Sequence, residues 1–157
     1  ALDGLQNAAD RKAMGEFAEL CAGKYTFTRE EQDAFSTESV RRALAAQAAG
    51  AFAEEIATVT VAGRKGDVQI SADEEPPTCD IGKIGSLRPA FKKDGTVTAA
   101  SSSKISDGAA ATVLMSAAEA GKRGLKPLAQ IVAHATHAQE PEWFTTAPVG
   151  AIQKVVA

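Results

Sequence analysis

Four serines fall between positions 101 and 106: Ser101, Ser102, Ser103 and Ser106. Each hydroxyl can both donate and accept a hydrogen bond. The residues around them are small. The stretch runs Gly95-Thr-Val-Thr-Ala-Ala-Ser-Ser-Ser-Lys-Ile-Ser-Asp-Gly-Ala-Ala-Ala111. Side chains of this size let a ligand or a second backbone come close. The chemistry on offer is recognition by hydrogen bonding along a close-approach surface. By pattern alone the stretch reads as a strand, a polar crossing loop and a buried element. A small-residue loop is a weakly specific signal, and a simple loop cap fits it too.

The usual reactive side chains are sparse. Cys21 and Cys79 are far apart and match no zinc spacing. A reducing compartment, taken here as cytoplasmic, is the simplest reading of two such thiols. His134 and His137 are the only histidines. Their three-residue spacing inside an expected strand puts them on opposite faces, so no metal site is expected. No residue of this set is assigned a catalytic role.

The elements that must position these residues follow from periodicity and punctuation. Residues 1–13 have loop character. Met14, Phe17, Ala18 and Cys21 follow helical spacing, with Gly23 as the expected stop and Cys21 as a buried small hydrophobe. Thr28-Arg29-Glu30-Glu31 is a capping box. It opens an alanine-rich helix to about Ala49, ended by Gly50, with Arg41 and Arg42 facing solvent. Ile56–Val61 and Val68–Ile70 read as a hairpin around the turn Arg64-Lys65-Gly66-Asp67. Asp73–Pro77 is an acidic, proline-bearing loop. Asp80–Leu87 has room for one or two helical turns. Thr96–Thr98 is a short strand before the serine loop. Thr112–Met115 is apolar enough to lie inside a sheet. Ala117–Arg123 suits a short helix stopped by Gly124. A strand is expected over Leu128–Thr136 and a loop over Gln139–Glu142. Pro148 then starts a helix over about Val149–Val156.

Length and composition bound the class. The 157 residues suffice for one ordinary core, with 45% hydrophobic and 24% charged residues. A net charge of −3 and the lack of a Lys/Arg run argue against a nucleic-acid partner. No apolar run approaches the roughly 20 residues that span a bilayer, so no membrane partner is expected. The start, Ala1-Leu2-Asp3-Gly4, has neither the basic nor the apolar region of a signal peptide and lacks an initiator methionine. A start inside a longer protein is expected.

One resemblance organises these signals. Leu87-Arg88-Pro89-Ala90-Phe91, then Asp94-Gly95-Thr96-Val97-Thr98-Ala99, then Asp107-Gly108-Ala109-Ala110-Ala111 resemble the thiolases, which are acyl-CoA C-acyltransferases. Asp3-Gly4-Leu5, Met14-Gly15, Arg29-Glu30-Glu31-Gln32-Asp33, Phe52, Glu55-Ile56 and Asp73-Glu74 stand in the family's order. The resemblance covers essentially the whole chain, but only a middle segment of the family. It implies a layered α/β fold, incomplete here: most of the loop domain over 1–98, the end of the N-terminal half over 99–124, and the start of the C-terminal half over 125–157.

The family's reaction is a Claisen condensation or its reverse, thiolytic cleavage of a 3-ketoacyl-CoA. That chemistry needs a nucleophilic thiol, a base for the α-carbon and oxyanion donors. In thiolases these come from motifs before and after the segment represented here. Neither Cys21 nor Cys79 matches a family cysteine, and His134 and His137 precede the catalytic histidine. The chain alone is therefore expected to be inactive. The resemblance implies coenzyme A recognition instead, with coenzyme A or acyl-CoA as substrate and no tightly bound cofactor. Leu5, Met14, Ile84, Phe91, Ala99, Ser103 and Phe144 fall where the family lines the pantetheine tunnel. Lys83 falls near the adenine and phosphate region. The expected partners are acyl-CoA thioesters and, in the complete protein, further copies of itself as a dimer or tetramer.

Several positions depart from the family pattern. Ala13 stands where many members have a histidine, which counts against a short-chain acetoacetyl-type preference. Pro76 or Pro77 stands where many have an arginine in the acidic loop. Ala100-Ser101 replaces a frequent Gly-Asn pair, and Lys104 a common glycine. A reading from another class is a non-catalytic coenzyme A-binding or oligomerisation module.

Overall fold

The helical face at Met14, Phe17, Ala18 and Cys21 folds as α1, Met14–Tyr25, with Phe17 and Ala22 buried. The computed structural model describes residues 4–157, so Asp3 and the first part of the 1–13 loop lie outside the described residues. α1 runs past the expected stop at Gly23. Thr26 ends it in the left-handed region at φ 56, and the Phe27 amide closes on the Ala22 carbonyl at 3.0 Å. A hydrogen-bonded αL closure therefore decided the end, and Gly23 is tolerated inside the last turn. Cys21 is only partly covered, short of the burial its helical face implied.

The capping box is present as read. Glu31 N donates to Thr28 Oγ1 at 3.1 Å, and Thr28 N donates to Glu31 Oε2 at 2.8 Å. It opens α2, Arg29–Ala48, and Gly50 follows at φ 63. Arg41 and Arg42 are exposed and both pair with Glu38, at 2.5 and 2.8 Å.

The hairpin forms with a shorter first arm than expected, and with its second arm as read. β1, Val59–Val61, pairs antiparallel with β2, Val68–Ile70, in the register Val59↔Ile70, Thr60↔Gln69, Val61↔Val68. Gly66 takes φ 118 in the turn, which favours glycine there. The acidic loop is corrected in part: Glu75–Thr78 is one turn of helix, α3, because Pro76 and Pro77 fit a helical start where no N–H is needed. Ile81–Ser86 is a 3-10 helix, within the expected turns.

Three strand expectations are not met. Thr96–Thr98 makes a single bridge, Pro89↔Thr98, and Thr112–Met115 and Leu128–Thr136 lie in no ladder among the described residues. Their apolar side chains are open instead, with Val113 86% and Val132 88% exposed. Apolarity marks a segment that favours burial, but a strand also needs a neighbour to exchange N–H and C=O with. His134 and His137 accordingly do not occupy two faces of a strand. His137 packs its ring against Gly150, where a Cβ would clash with it.

α4, Ala117–Lys122, is capped by Ser116 and followed by Gly124 at φ 64. The expected loop at Gln139 turns at Pro141 into a 3-10 helix, Pro141–Thr146. α5, Ala147–Val156, then carries Pro148 in its first turn as read. The chain divides into two units, Ala1–Ile105 and Ser106–Ala157. In the first the buried set is Phe17, Ala22, Ser36, Ile84, Val97 and Thr98; in the second it is Ala120.

Candidate functional site

The serine loop is built on Thr98, whose relative exposure is 0%. Ser101 Oγ accepts from Thr98 N at 2.9 Å, and Thr98 Oγ1 accepts from Ala100 N at 3.2 Å. Ser102 Oγ donates to Thr98 O at 2.6 Å. Two of the four serines therefore spend their hydroxyls shaping the loop. Ser103 and Ala99 are exposed, left facing outward by that folding. Ser103 also borders a cleft of about 310 Å³ between the loop and the Phe35–Val40 part of α2. On the loop side its lining is small and largely polar, Ala100, Ser101 and Ser102, while α2 adds Phe35 and Val40.

A second group meets at the start of α1. Met14 N donates to Leu5 O at 3.1 Å, which ties the loop residue to the helix start. The Phe91 ring lies against Gly15, where any Cβ would overlap it. Leu5, Met14 and Phe91 are thus brought together, with Leu5 and Phe91 still presenting apolar surface. The step from Phe91 to Ala99 is short, because Ala90 N donates to Val97 O at 2.9 Å. Ala13 gives its amide to Glu16 Oε1 at 3.0 Å.

Ile84 is 1% exposed and belongs to the core of the first unit, while its carbonyl accepts from Arg29 Nη2 at 3.2 Å. The same nitrogen donates to Leu87 O at 2.8 Å, and Arg29 Nε pairs with Asp33 Oδ2 at 2.8 Å. Lys83 is exposed and pairs with Asp80 at 2.9 Å. Hydrogen bonding to Asp80 and its negative charge raise the Lys83 ammonium above its ordinary range, and Lys83 holds the Asp80 carboxyl below its own. Lys83 is therefore a solvated cation that a phosphate would share with a carboxylate. Lys104 pairs with Glu75 at 3.2 Å, tying the serine loop to α3. Phe144 lies in the 3-10 helix of the second unit and is exposed there.

Three residues that hold these pieces were not legible as site residues: Glu19, Arg29 and Gln32. Glu19 binds the 96–97 backbone, and Gln32 Nε2 donates to Thr96 Oγ1 at 2.9 Å. The available signal was a charged residue bordering an apolar helical stripe. Glu19 and its partner Thr96 are 77 positions apart, so spacing could not join them. Among the described residues no group of three His, Cys, Asp or Glu side chains is placed to hold a metal. No helix among them is long and apolar enough to cross a membrane.

Comparison with known proteins gives the context for this geometry. The family profile described as thiolase, N-terminal domain, matches residues 1–118. The chain is 49% identical over 156 residues to the acetyl-CoA acetyltransferase of Schizosaccharomyces pombe, covering 98% of this chain and 40% of that protein. It is 50% identical over 157 residues to that of Chromobacterium violaceum, covering 99% and 40%. Among solved structures, the Bacillus anthracis acetyl-CoA acetyltransferase superimposes with a TM-score of 0.93 at 38% identity, covering 99% of this chain and 40% of that one. A thiolase from Ascaris suum in complex with coenzyme A does so at 0.90 and 40% identity, covering 98% and 39%. The chain thus spans about 40% of the length of the relatives it matches.

Proposed function

The chain belongs to the thiolase family, and on that premise we propose that it is the coenzyme A-gripping middle portion of an acyl-CoA C-acyltransferase. The parent protein would cleave 3-ketoacyl-CoA with coenzyme A, or condense two molecules of acetyl-CoA. Residues 1–98 form most of its loop domain, 99–124 the end of its N-terminal half and 125–157 the start of its C-terminal half. The profile match to residues 1–118 supports an N-terminal assignment for most of the chain. The observation that carries the reading is the likeness to the Ascaris suum thiolase, a structure containing coenzyme A.

On this reading Ser103 offers its hydroxyl to a pantetheine amide, and Ala99 lets the arm pass close. Leu5, Met14 and Phe91 give apolar surface, Ile84 belongs to the core of the same unit, Lys83 meets a phosphate as a point charge, and Phe144 is assigned an apolar role by resemblance alone. The attacking thiol, the base and the oxyanion donors are assigned to the part of the relatives' length that this chain does not span. Cys21, on a partly covered helix face, and Cys79, at the end of α3, are not assigned to them. Coenzyme A and acyl-CoA thioesters are substrates, not resident cofactors. The complete protein is a homo-oligomer, dimer or tetramer. A reducing, cytoplasmic setting belongs to the same reading.

The test uses material whose intact mass matches 16.2 kDa. Coenzyme A titrated into it should bind with a dissociation constant on the order of 100 µM, equivalent to about 5.5 kcal/mol. Acetoacetyl-CoA should not be turned over. Turnover by material of that mass would sink the division of labour, and an absence of binding would sink the gripping role.

A further inference from the structure

The segment Thr96–Thr98 has the sequence of a strand but not its partners. Among the described residues its only ladder-type neighbour is Pro89, which has no N–H to give. All three of its amides are taken by side chains instead. Thr96 N donates to both Glu19 carboxylate oxygens at 3.0 Å, and Val97 N donates to Glu19 Oε1 at 2.8 Å. Thr98 N donates to Ser101 Oγ at 2.9 Å. Thr96 Oγ1 adds a longer contact to Glu19 Oε2 at 3.4 Å, and Gln32 Nε2 donates to the same hydroxyl. One carboxylate thus stands where a neighbouring strand would.

Two details mark this as a fitted arrangement. Gly95 lies so close to Glu19 that a Cβ there would overlap Oε1. Only glycine lets the carboxylate reach the two amides that follow. Directly downstream, Thr98 is the hub that folds Ala100, Ser101 and Ser102 back on themselves, leaving Ala99 and Ser103 outward. Whatever fixes residues 96–98 therefore fixes where Ala99 and Ser103 stand.

We propose that Glu19 is a positioning residue for ligand binding: it sets the serine loop through the Thr96 and Val97 amides so that Ala99 and Ser103 present a preformed surface to the pantetheine arm. This rests on the coenzyme A reading above. A carboxylate accepting charge-assisted bonds from successive amides holds a backbone more rigidly than a neutral acceptor does. A preformed loop loses less freedom when it binds. Removing the charge should thus lower affinity in molecules that are still folded.

The experiment titrates coenzyme A into the full chain and four variants: Glu19→Gln, Gly95→Ala, Ser103→Ala and the Glu19→Gln/Ser103→Ala pair. All are measured well below their thermal midpoints. Amide exchange is followed alongside at Thr96, Val97, Ala100 and Ser101. We expect Glu19→Gln and Gly95→Ala each to weaken binding at least tenfold and to speed exchange at the four amides. Ser103→Ala should cost little further on the Glu19→Gln background, because its hydroxyl is already misplaced. Unchanged affinity in folded Glu19→Gln overturns the proposal. Independent, additive losses in the double variant also overturn it, since they mean that Glu19 does not act through the loop. If Glu19→Gln fails to fold, Gly95→Ala decides by the same criteria. If the unaltered chain does not bind coenzyme A, it is the function reading that fails. The exchange rates then judge the loop-setting role by themselves, and unchanged rates overturn it.

Discussion

Arg29 shows how much one side chain can carry in so lightly buried a chain. Its guanidinium joins α2 to the carbonyls of Ile84 and Leu87 while paired with Asp33, and the two side chains are 21% and 15% exposed. Three acceptors lose a charged donor together if it is removed. Arg29→Met should cost about 2 kcal/mol of the first unit's stability, by the usual worth of hydrogen bonds to charged groups. Arg29→Lys should recover less than half of that, because a point charge cannot reach the fork of acceptors. Thermal unfolding followed by circular dichroism measures both, and an unchanged midpoint in Arg29→Met refutes the role. The exposed ion pairs behave differently. The Glu38 carboxyl is lowered by hydrogen bonding to Arg42 and by the charges of Arg41 and Arg42, and Asp80 is lowered by Lys83. A lowered carboxyl contributes stability above its unfolded value and loses it as pH falls through the folded one. The raised Lys83 contributes below its ordinary 10.5 and loses it as pH rises past that. Stability should therefore be flat from about pH 6 to 9 and fall below about pH 4.5, with a shallow slope because these groups are solvated. A midpoint changing steeply between pH 6 and 8 would contradict this.

At the scale of elements, local signals decided helices well and strands poorly. The capping box, the prolines near helix starts and the glycines at φ 63 and φ 64 all act within one turn of chain. Thr28→Ala should remove the Oγ1 acceptor for Glu31 N and cost about 1 kcal/mol, read as a loss of helical signal on heating. Thr28→Ser should restore it, and equal midpoints for all three proteins would show the cap to be idle. The hairpin obeyed the same locality, since its turn and both arms lie within Val59–Ile70. Thr96–Thr98 did not, because two of its three amides are claimed by a carboxylate on another element.

For the whole molecule, surface is the governing quantity. Many large apolar side chains are open to solvent: Ile105, Val113, Leu114, Leu128, Ile131 and Val132 are all exposed. Unpaired apolar segments of this kind invite edge-to-edge association. The chain by itself should elute on gel filtration as concentration-dependent oligomers and should bind a hydrophobic dye. Val113→Lys with Val132→Lys should shift it toward monomer. A compact monomer with one cooperative unfolding transition would refute this expectation.

The order of residues by itself determined the α1, α2, α4 and α5 helices, the hairpin and its Gly66 turn, and the family, because caps, periodicity and motif residues are written within short spans. Through resemblance it also put forward Leu5, Met14, Lys83, Ile84, Phe91, Ala99, Ser103 and Phe144 as the coenzyme A-binding set of the proposed function. Only the tertiary structure decided how the serine loop is held. Glu19 and Arg29 reach across 55 to 78 positions to backbone groups, and a hydrogen bond to a backbone amide or carbonyl leaves no trace in the identity of the residue that receives it; Gln32 reaches the Thr96 hydroxyl, 64 positions away. The missing strands have the same physical origin: an apolar run records its own preference for burial, while pairing is a property of two segments.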